Sequence, residues 1–377
     1  MAEWLTLSLP EVLEFQEGPG ILAKDFRDRG TPLIRLAGLK RDATLLAGCN
    51  FLDPEMVERR WSHFRLDEGD VLLSTSASLG EVATVDKSAA GAVAYTGIIR
   101  FRPADDRVIP DFISCMLRSA SFKQQIEAMG VGSVMKHFGP SHLRQMFVDV
   151  PPRGVQREIA QVLAALDDKI SVNDHIAKSA FDLARVLYGE ASLRDGENVE
   201  LGEVVGLKYG KALREPDRRP GMVPVYGCTG QVGWHDSTLT AGAGPVVGRK
   251  GANAGWISWA SRPCWVIDTA FFVEVRRDYL SPEMAFLMLE SAKLPRLVGD
   301  SAVPGLNREA AHRHSVKVPS QLAAQELLGR VRPLMGRATQ AQDESRTLAT
   351  LRDTLLPQLM SGKLRVRDAE KIVEDAV

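Results

Sequence analysis

Two stretches decide the reading: GDVLLSTSASLGEV at residues 69–82 and GPVVGRKGANAGWI at residues 244–257. They align at a shift of 175 residues. Further along, PDFISCMLRSA from Pro110 matches PEMAFLMLESA from Pro282 at a shift of 172, and VDVP from Val148 matches VKVP from Val316 at a shift of 168. Matches that keep their order and nearly keep their spacing mark a duplicated unit.

Taken alone, the second stretch suggests a phosphate loop, with Gly244, Gly248, Gly251 and Gly255 around Arg249 and Lys250. A nucleoside-triphosphate loop needs G-x-x-x-x-G-K-[ST], and here the glycine spacing differs and no hydroxyl follows Lys250. A dinucleotide loop opens a helix, whereas GWISWA is aromatic and β-branched, as a strand is. The stretch therefore reads as strand, basic glycine turn, strand. Such a turn suits a polyanion, and it equally suits a plain hairpin.

Each copy begins with turns and short strands, ending at Ile98 to Phe101 or Phe271 to Val275. A short helix follows, opened by Pro110 or Pro282 with an acidic neighbour suited to a first helical turn. The V-x-V-P strand then leads into a long helix. In the first, Ile159, Leu163, Leu166, Ile170, Asn173, Ala177, Ala180, Ala184 and Leu187 alternate four and three apart, the heptad period of a coiled coil. In the second, Leu327, Val331, Leu334, Ala338, Ala341, Ser345 and Leu348 do the same, pass a mismatch at Arg352 and resume at Leu355 and Leu359. Small residues sit mid-seam in both, so the two helices are expected to pair antiparallel with Asn173 setting the register. Pro333 predicts a kink or a late start in the second helix.

With 377 residues and 45% hydrophobic content the chain has material for two or three domains. No apolar run approaches the ~20 residues of a membrane span and no signal-like start is seen, so a cytoplasmic, membrane-free protein is expected. Cys49, Cys115, Cys228 and Cys264 are scattered without C-x-x-C spacing, which suggests neither a disulfide framework nor a zinc site. The net charge of −1 means that any nucleic-acid surface must be built from local patches. Asp167-Asp168-Lys169 superficially resembles a nuclease D-x-K but lies on the heptad helix, where a solvated face is expected. His312 and His314 have no third ligand nearby and read as a basic surface strand. No methylation, Walker, nucleophile-elbow or zincin motif occurs.

The order of these parts carries a family resemblance. A variable unit, VPPRGVQREIAQVLAALDDKI from Val150, a second variable unit with VPVYGCTGQVGWHD and VVGRKGANAGWI, and a helix closing in LLPQLMSGKL are together similar to the specificity subunit of type I restriction-modification enzymes. The second copy of the P-x-x-x-x-Q run, VPSQLAAQELLGRVRPLMGRA, is degraded. The resemblance implies an α+β fold in which two repeated α/β target-recognition domains are separated by two long antiparallel coiled-coil helices. Its divisions fall at 1–152 for the first recognition domain, 153–195 for the first spacer helix, 196–319 for the second domain, 320–367 for the second helix and 368–377 for an acidic tail. It implies a non-catalytic subunit that reads a bipartite, asymmetric double-stranded DNA site and docks two modification subunits, with restriction subunits in the larger complex. No cofactor is expected in this chain; S-adenosylmethionine, ATP and Mg2+ would belong to the partners. A scaffold that binds only proteins through the helix pair is the alternative, and it predicts no salt-dependent DNA affinity.

For a DNA reader, Arg249 suits a guanine edge, Lys250 a phosphate and Asn253 an adenine. Lys208, Tyr209, Lys211 and Arg214 lie in KYGKALREPDRR, the densest basic stretch of the second copy, and Tyr226 and Thr229 are candidate base-edge contacts. In the first copy Ser74, Thr75, Ser76 and Ser78 stand where the basic pair stands in the second, with Lys136, His137 and His142 beside a glycine turn. An ordinary charged hairpin or loop is the competing reading for each.

Overall fold

The computed structural model describes residues 4–40, 43–76, 79–129, 138–299 and 304–375. The chain forms two compact units, residues 1–170 with 347–377 and residues 171–346.

In the first unit a four-stranded antiparallel sheet runs in the order Leu13–Glu17, Ile98–Pro103, Val71–Ser74, Val82–Thr84. A second sheet runs Phe26–Arg27, Asn50–Leu52, Thr31–Ile34, Val93–Ala94, and its last pair is parallel. The other unit repeats this plan. Its larger sheet is Val205–Tyr209, Ala270–Val275, Gly244–Gly248, Ile257–Ala260, and its smaller one is Gly230–His235, Val223–Gly227, Trp265–Val266, again with a parallel last pair. The helices opened by proline are Pro110–Arg118 and Pro282–Ser291, and each buries an apolar face in its unit's main core.

Strand register corrects the alignment of the two copies by one residue. Leu73 faces Ile99 as Val247 faces Phe271, and Ser74 faces Ile98 as Gly248 faces Ala270, which makes the local shift 174. Thr75, and not Ser74, is therefore the counterpart of Arg249. The backbone agrees, since Thr75 N–H donates to Gly97 at 2.8 Å and Arg249 N–H donates to Thr269 at 2.8 Å.

The first long helix is Arg153–Asp195 and the second is Gln321–Met360. The heptad seams face inward. Ile159, Leu163 and Leu166 share a core with Leu348, Leu355 and Leu359 in the first unit, and Ala177, Ala180 and Ala184 share one with Val331, Ala338 and Ala341 in the second. Asp167 meets Arg352 and Asp174 meets Ser345, so rising numbers on one helix meet falling numbers on the other and the pair is antiparallel. Arg352, the mismatch in the seam, is largely buried because Asp167 and Asp353 accept its guanidinium. Asp167 also takes Arg118 at 3.0 Å, so this carboxylate is an ion-pair centre at the edge of a helix face on which Asp168 is exposed.

The second helix does not start late: it continues as one helix through Pro333, whose ring is exposed. Gly329, the residue whose carbonyl that ring crowds, has open space beside it. The supposed acidic tail is mostly helix, Val366–Glu374, with Val366 and Ala369 buried in the first unit's core, because Val366, Ala369 and Val373 recur at helical spacing.

Asn173 is fully buried, and neither atom of its amide has a hydrogen-bond partner among the described residues. A buried polar group without a partner costs roughly 1–3 kcal/mol, so Asn173→Leu is expected to stabilise the protein by about that amount while removing a register constraint. A thermal melt of the variant that falls below wild type would count against this.

Candidate nucleic-acid interface

In the second unit, strand ends and turns converge around Arg249. Leu306 N–H donates to the Arg249 carbonyl at 2.8 Å, Gly251 N–H to Pro304 at 2.9 Å, and Cys228 N–H to the Thr269 hydroxyl at 3.4 Å. The glycines of this turn serve packing. A Cβ on Gly248 would overlap the Asn253 carbonyl, and one on Gly255 would press into the backbone of Leu294 and Pro295. That close approach fixes the turn that presents Arg249, Lys250 and Asn253.

Arg249 is half-buried. Its guanidinium lies 4.6 Å from the ring centre of Tyr209 and donates to the Asp268 carbonyl at 3.1 Å. Arg308, which the sequence did not single out, lies 5.0 Å from the same ring. Two guanidiniums thus pack against one exposed aromatic ring, and Arg308 is also paired with Glu309 at 3.0 Å. Lys250, Lys211, Arg214 and Thr229 are exposed and Asn253 is half-buried. Backbone clamps hold the start of the basic loop, with Lys211 N–H donating to Val266 at 2.9 Å and the Trp265 indole donating to the Lys211 carbonyl at 3.1 Å. Lys208 is engaged by Glu274 at 3.1 Å. In the same loop Arg218 donates to the Val232 carbonyl at 2.7 Å, and Arg219 forks onto Asp236 and holds that carboxyl down at about 2.

Two of the expected contact residues face inward. Tyr226 is only 7% exposed in a small apolar cluster, and its hydroxyl donates to the Trp259 carbonyl at 3.3 Å. Burial pushes that phenol upward. Ser74 is 1% exposed, and its Oγ accepts the Glu81 N–H at 2.9 Å; all four residues of its strand are buried, so the hydroxyl is a core group. His312 and His314 do not form a surface strand. His312 ends the helix Arg308–His312, its Nε2 accepts the Leu207 N–H at 3.1 Å, and burial holds its imidazole below the usual range; His314 Nε2 lies 2.9 Å from the Ala292 carbonyl. Ser78, Lys136 and His137 lie outside the described residues.

In the first unit Ser76 is half-buried and lines an open groove of about 560 Å3 with Arg35, Asn50, Tyr95 and Thr96. The sequence reading missed this group. Arg35 stands alone between TPLI and LAGL, and its partners lie 15 and 60 positions away, too far for any local pattern. Among the described residues no helix is long and apolar enough to cross a membrane.

Residues 1–179 match the sequence model of a family described as the type I restriction modification DNA specificity domain. No curated protein matches the chain. Among solved structures, the S subunit of a type I restriction-modification system from M. genitalium is 18% identical, with a TM-score of 0.63 over 95% of this chain and 96% of that one. The HsdS subunit from Thermoanaerobacter tengcongensis is 16% identical, with a TM-score of 0.38 over 96% of this chain and 97% of that one. The match to the type I restriction modification DNA specificity domain thus spans residues 1–179, just under half of the chain, and the fold is shared with the M. genitalium S subunit along most of its length.

Proposed function

We propose that the chain is the DNA-reading subunit of a type I restriction-modification enzyme, each unit reading one half of a bipartite, asymmetric duplex site. The observation that carries this is the repeat itself: one fold occurs twice, with different polar groups at equivalent strand ends, Thr75 in one and Arg249 in the other. A duplicated reader with unlike loops reads unlike half-sites. The helix pair is then the spacer and the docking surface for two modification subunits, which restriction subunits join. The chain itself is non-catalytic and works in the cytoplasm; S-adenosylmethionine, ATP and Mg2+ belong to its partners. Arg249, Lys250 and Asn253, with Lys208, Tyr209, Lys211, Arg214 and Thr229 around them, form the DNA face of the second unit, and Ser76 belongs to that of the first.

The test is methylome sequencing of cells that carry the chain with its modification subunits, where a bipartite methyladenine motif is expected. Arg249→Ala should relax one half-site only, by roughly 1–3 kcal/mol of discrimination. Lys211→Ala, at a phosphate, should weaken all sequences alike and flatten the salt dependence by about one unit of slope. A purified chain that transfers methyl groups by itself, or an Arg249→Ala motif identical to wild type, contradicts the assignment.

A further inference from the structure

The first unit carries a cation at a strand end where the second has none. Arg35 follows the strand Thr31–Ile34, its guanidinium lies 4.1 Å from the ring centre of Tyr95, and it donates to Asn50 Oδ1 at 3.2 Å. Strand register gives the counterparts. Ile34 faces Ala94 as Tyr226 faces Val266, so Arg35 corresponds to Gly227 and Tyr95 to Ile267. Leu33 faces Asn50 as Val225 faces Gly233. Two glycines and an isoleucine thus stand in the second unit where Arg35, Asn50 and Tyr95 stand in the first. The reverse holds for the Arg249 cluster, since Thr75 replaces Arg249 and Glu17 replaces Tyr209.

We propose that Arg35 is a specificity-determining residue that reads a guanine edge in the half-site bound by the first unit, so that the two half-sites are read by arginines from different strand ends. The inference rests on the DNA-reading function proposed above. Tyr95 covers one face of the guanidinium and Asn50 takes one N–H of NH1, which leaves in-plane donors directed along the edge of the fork. The two acceptors of guanine, O6 and N7, match a fork of that kind. Ser76 and Thr96 place hydroxyls on the wall of the same open groove.

The experiment maps methylated motifs in cells carrying the full chain with its modification subunits, for wild type, Arg35→Ala, Arg35→Lys, Asn50→Ala and Arg249→Ala. Arg35→Ala and Arg35→Lys are each expected to lose preference at one guanine by about tenfold or more, in the half that Arg249→Ala leaves intact. Asn50→Ala should weaken the same position less. Melting of the purified variants establishes that they fold; if Arg35→Ala does not, the lysine variant, which keeps the charge and loses the fork, carries the test. An unchanged motif in a folded Arg35 variant overturns the inference, as does equal loss at both halves. A wild-type protein that gives no bipartite motif overturns the reader assignment itself, a separate outcome.

Discussion

Replacing Gln156 with alanine is expected to lower the stability of the unit built from residues 1–170 and 347–377 by roughly 2–5 kcal/mol, because three hydrogen bonds of one buried amide are lost together. Gln156 is fully buried near the start of the first long helix. Its Oε1 accepts the Ile109 N–H at 2.9 Å, and its Nε2 donates to the carbonyls of Arg107 and Pro151, both at 2.7 Å. Those groups belong to the lead-in to the helix Pro110–Arg118 and to the end of the V-x-V-P strand, so one side chain satisfies three orphan backbone groups where three elements meet. Each group left unpaired in the interior costs roughly 1–3 kcal/mol, reduced where water reaches the Arg107 carbonyl. Gln156→Met separates bonding from packing, since it fills similar space and makes none of the three bonds; it should lose nearly as much. Denaturant unfolding measures both, and a loss under about 1 kcal/mol in Gln156→Ala would show that the network is not what secures this corner.

Gln156 also shows what a sequence exposes and what it conceals. It was visible as the fixed glutamine of P-x-x-x-x-Q, but its reason was not, because Ile109 and Arg107 lie 47 and 49 positions away. The second copy has Ala324 at the equivalent place, after Pro319, and does without the network. The long helices were legible because a seam of period 3.5 is a local pattern that survives without knowledge of the partner. The fold of each unit was legible only as a repeat, since short strands joined by long turns have little periodicity of their own. Register was off by one for the same reason: the two loops differ in composition and only paired strands count residues across them. Candidate contacts fared according to their neighbours. Lys211 and Lys250 flank glycines in exposed turns and are exposed, whereas Ser74 and Tyr226 sit at strand positions that close over the core. Arg35 left no trace in its surroundings because its meaning comes from Asn50 and Tyr95.

On the proposed DNA-reading function, deleting one heptad from each long helix is expected to shorten the unspecified gap between the two methylated half-sites by about three base pairs. The helices have 43 and 40 residues, so the first is roughly 65 Å long at ~1.5 Å per residue. The contacts Asp167 with Arg352 and Asp174 with Ser345 fix which residues face each other, and they make 172–178 and 341–347 a matched pair of segments. Removing both joins Ile170 to Ala180, and Ala338 to Leu348, at the seam spacing, so apolar residues still meet apolar residues. The spacer then loses about 10 Å, which is about three base steps at ~3.4 Å each. Three steps also turn the duplex by roughly a third of a turn, so methylation by the shortened protein should be slower than wild type even at its new sites. Removing five residues from each helix instead rotates the stripe by roughly 140° and should destabilise the pair, which makes it the control for the register argument. The measurement is the methylated motif of wild type and of the paired seven-residue deletion, read for gap length alone. An active deletion with an unchanged gap would mean that the half-sites are spaced by something other than these helices, since a rod shortened by two turns cannot hold its ends where they were.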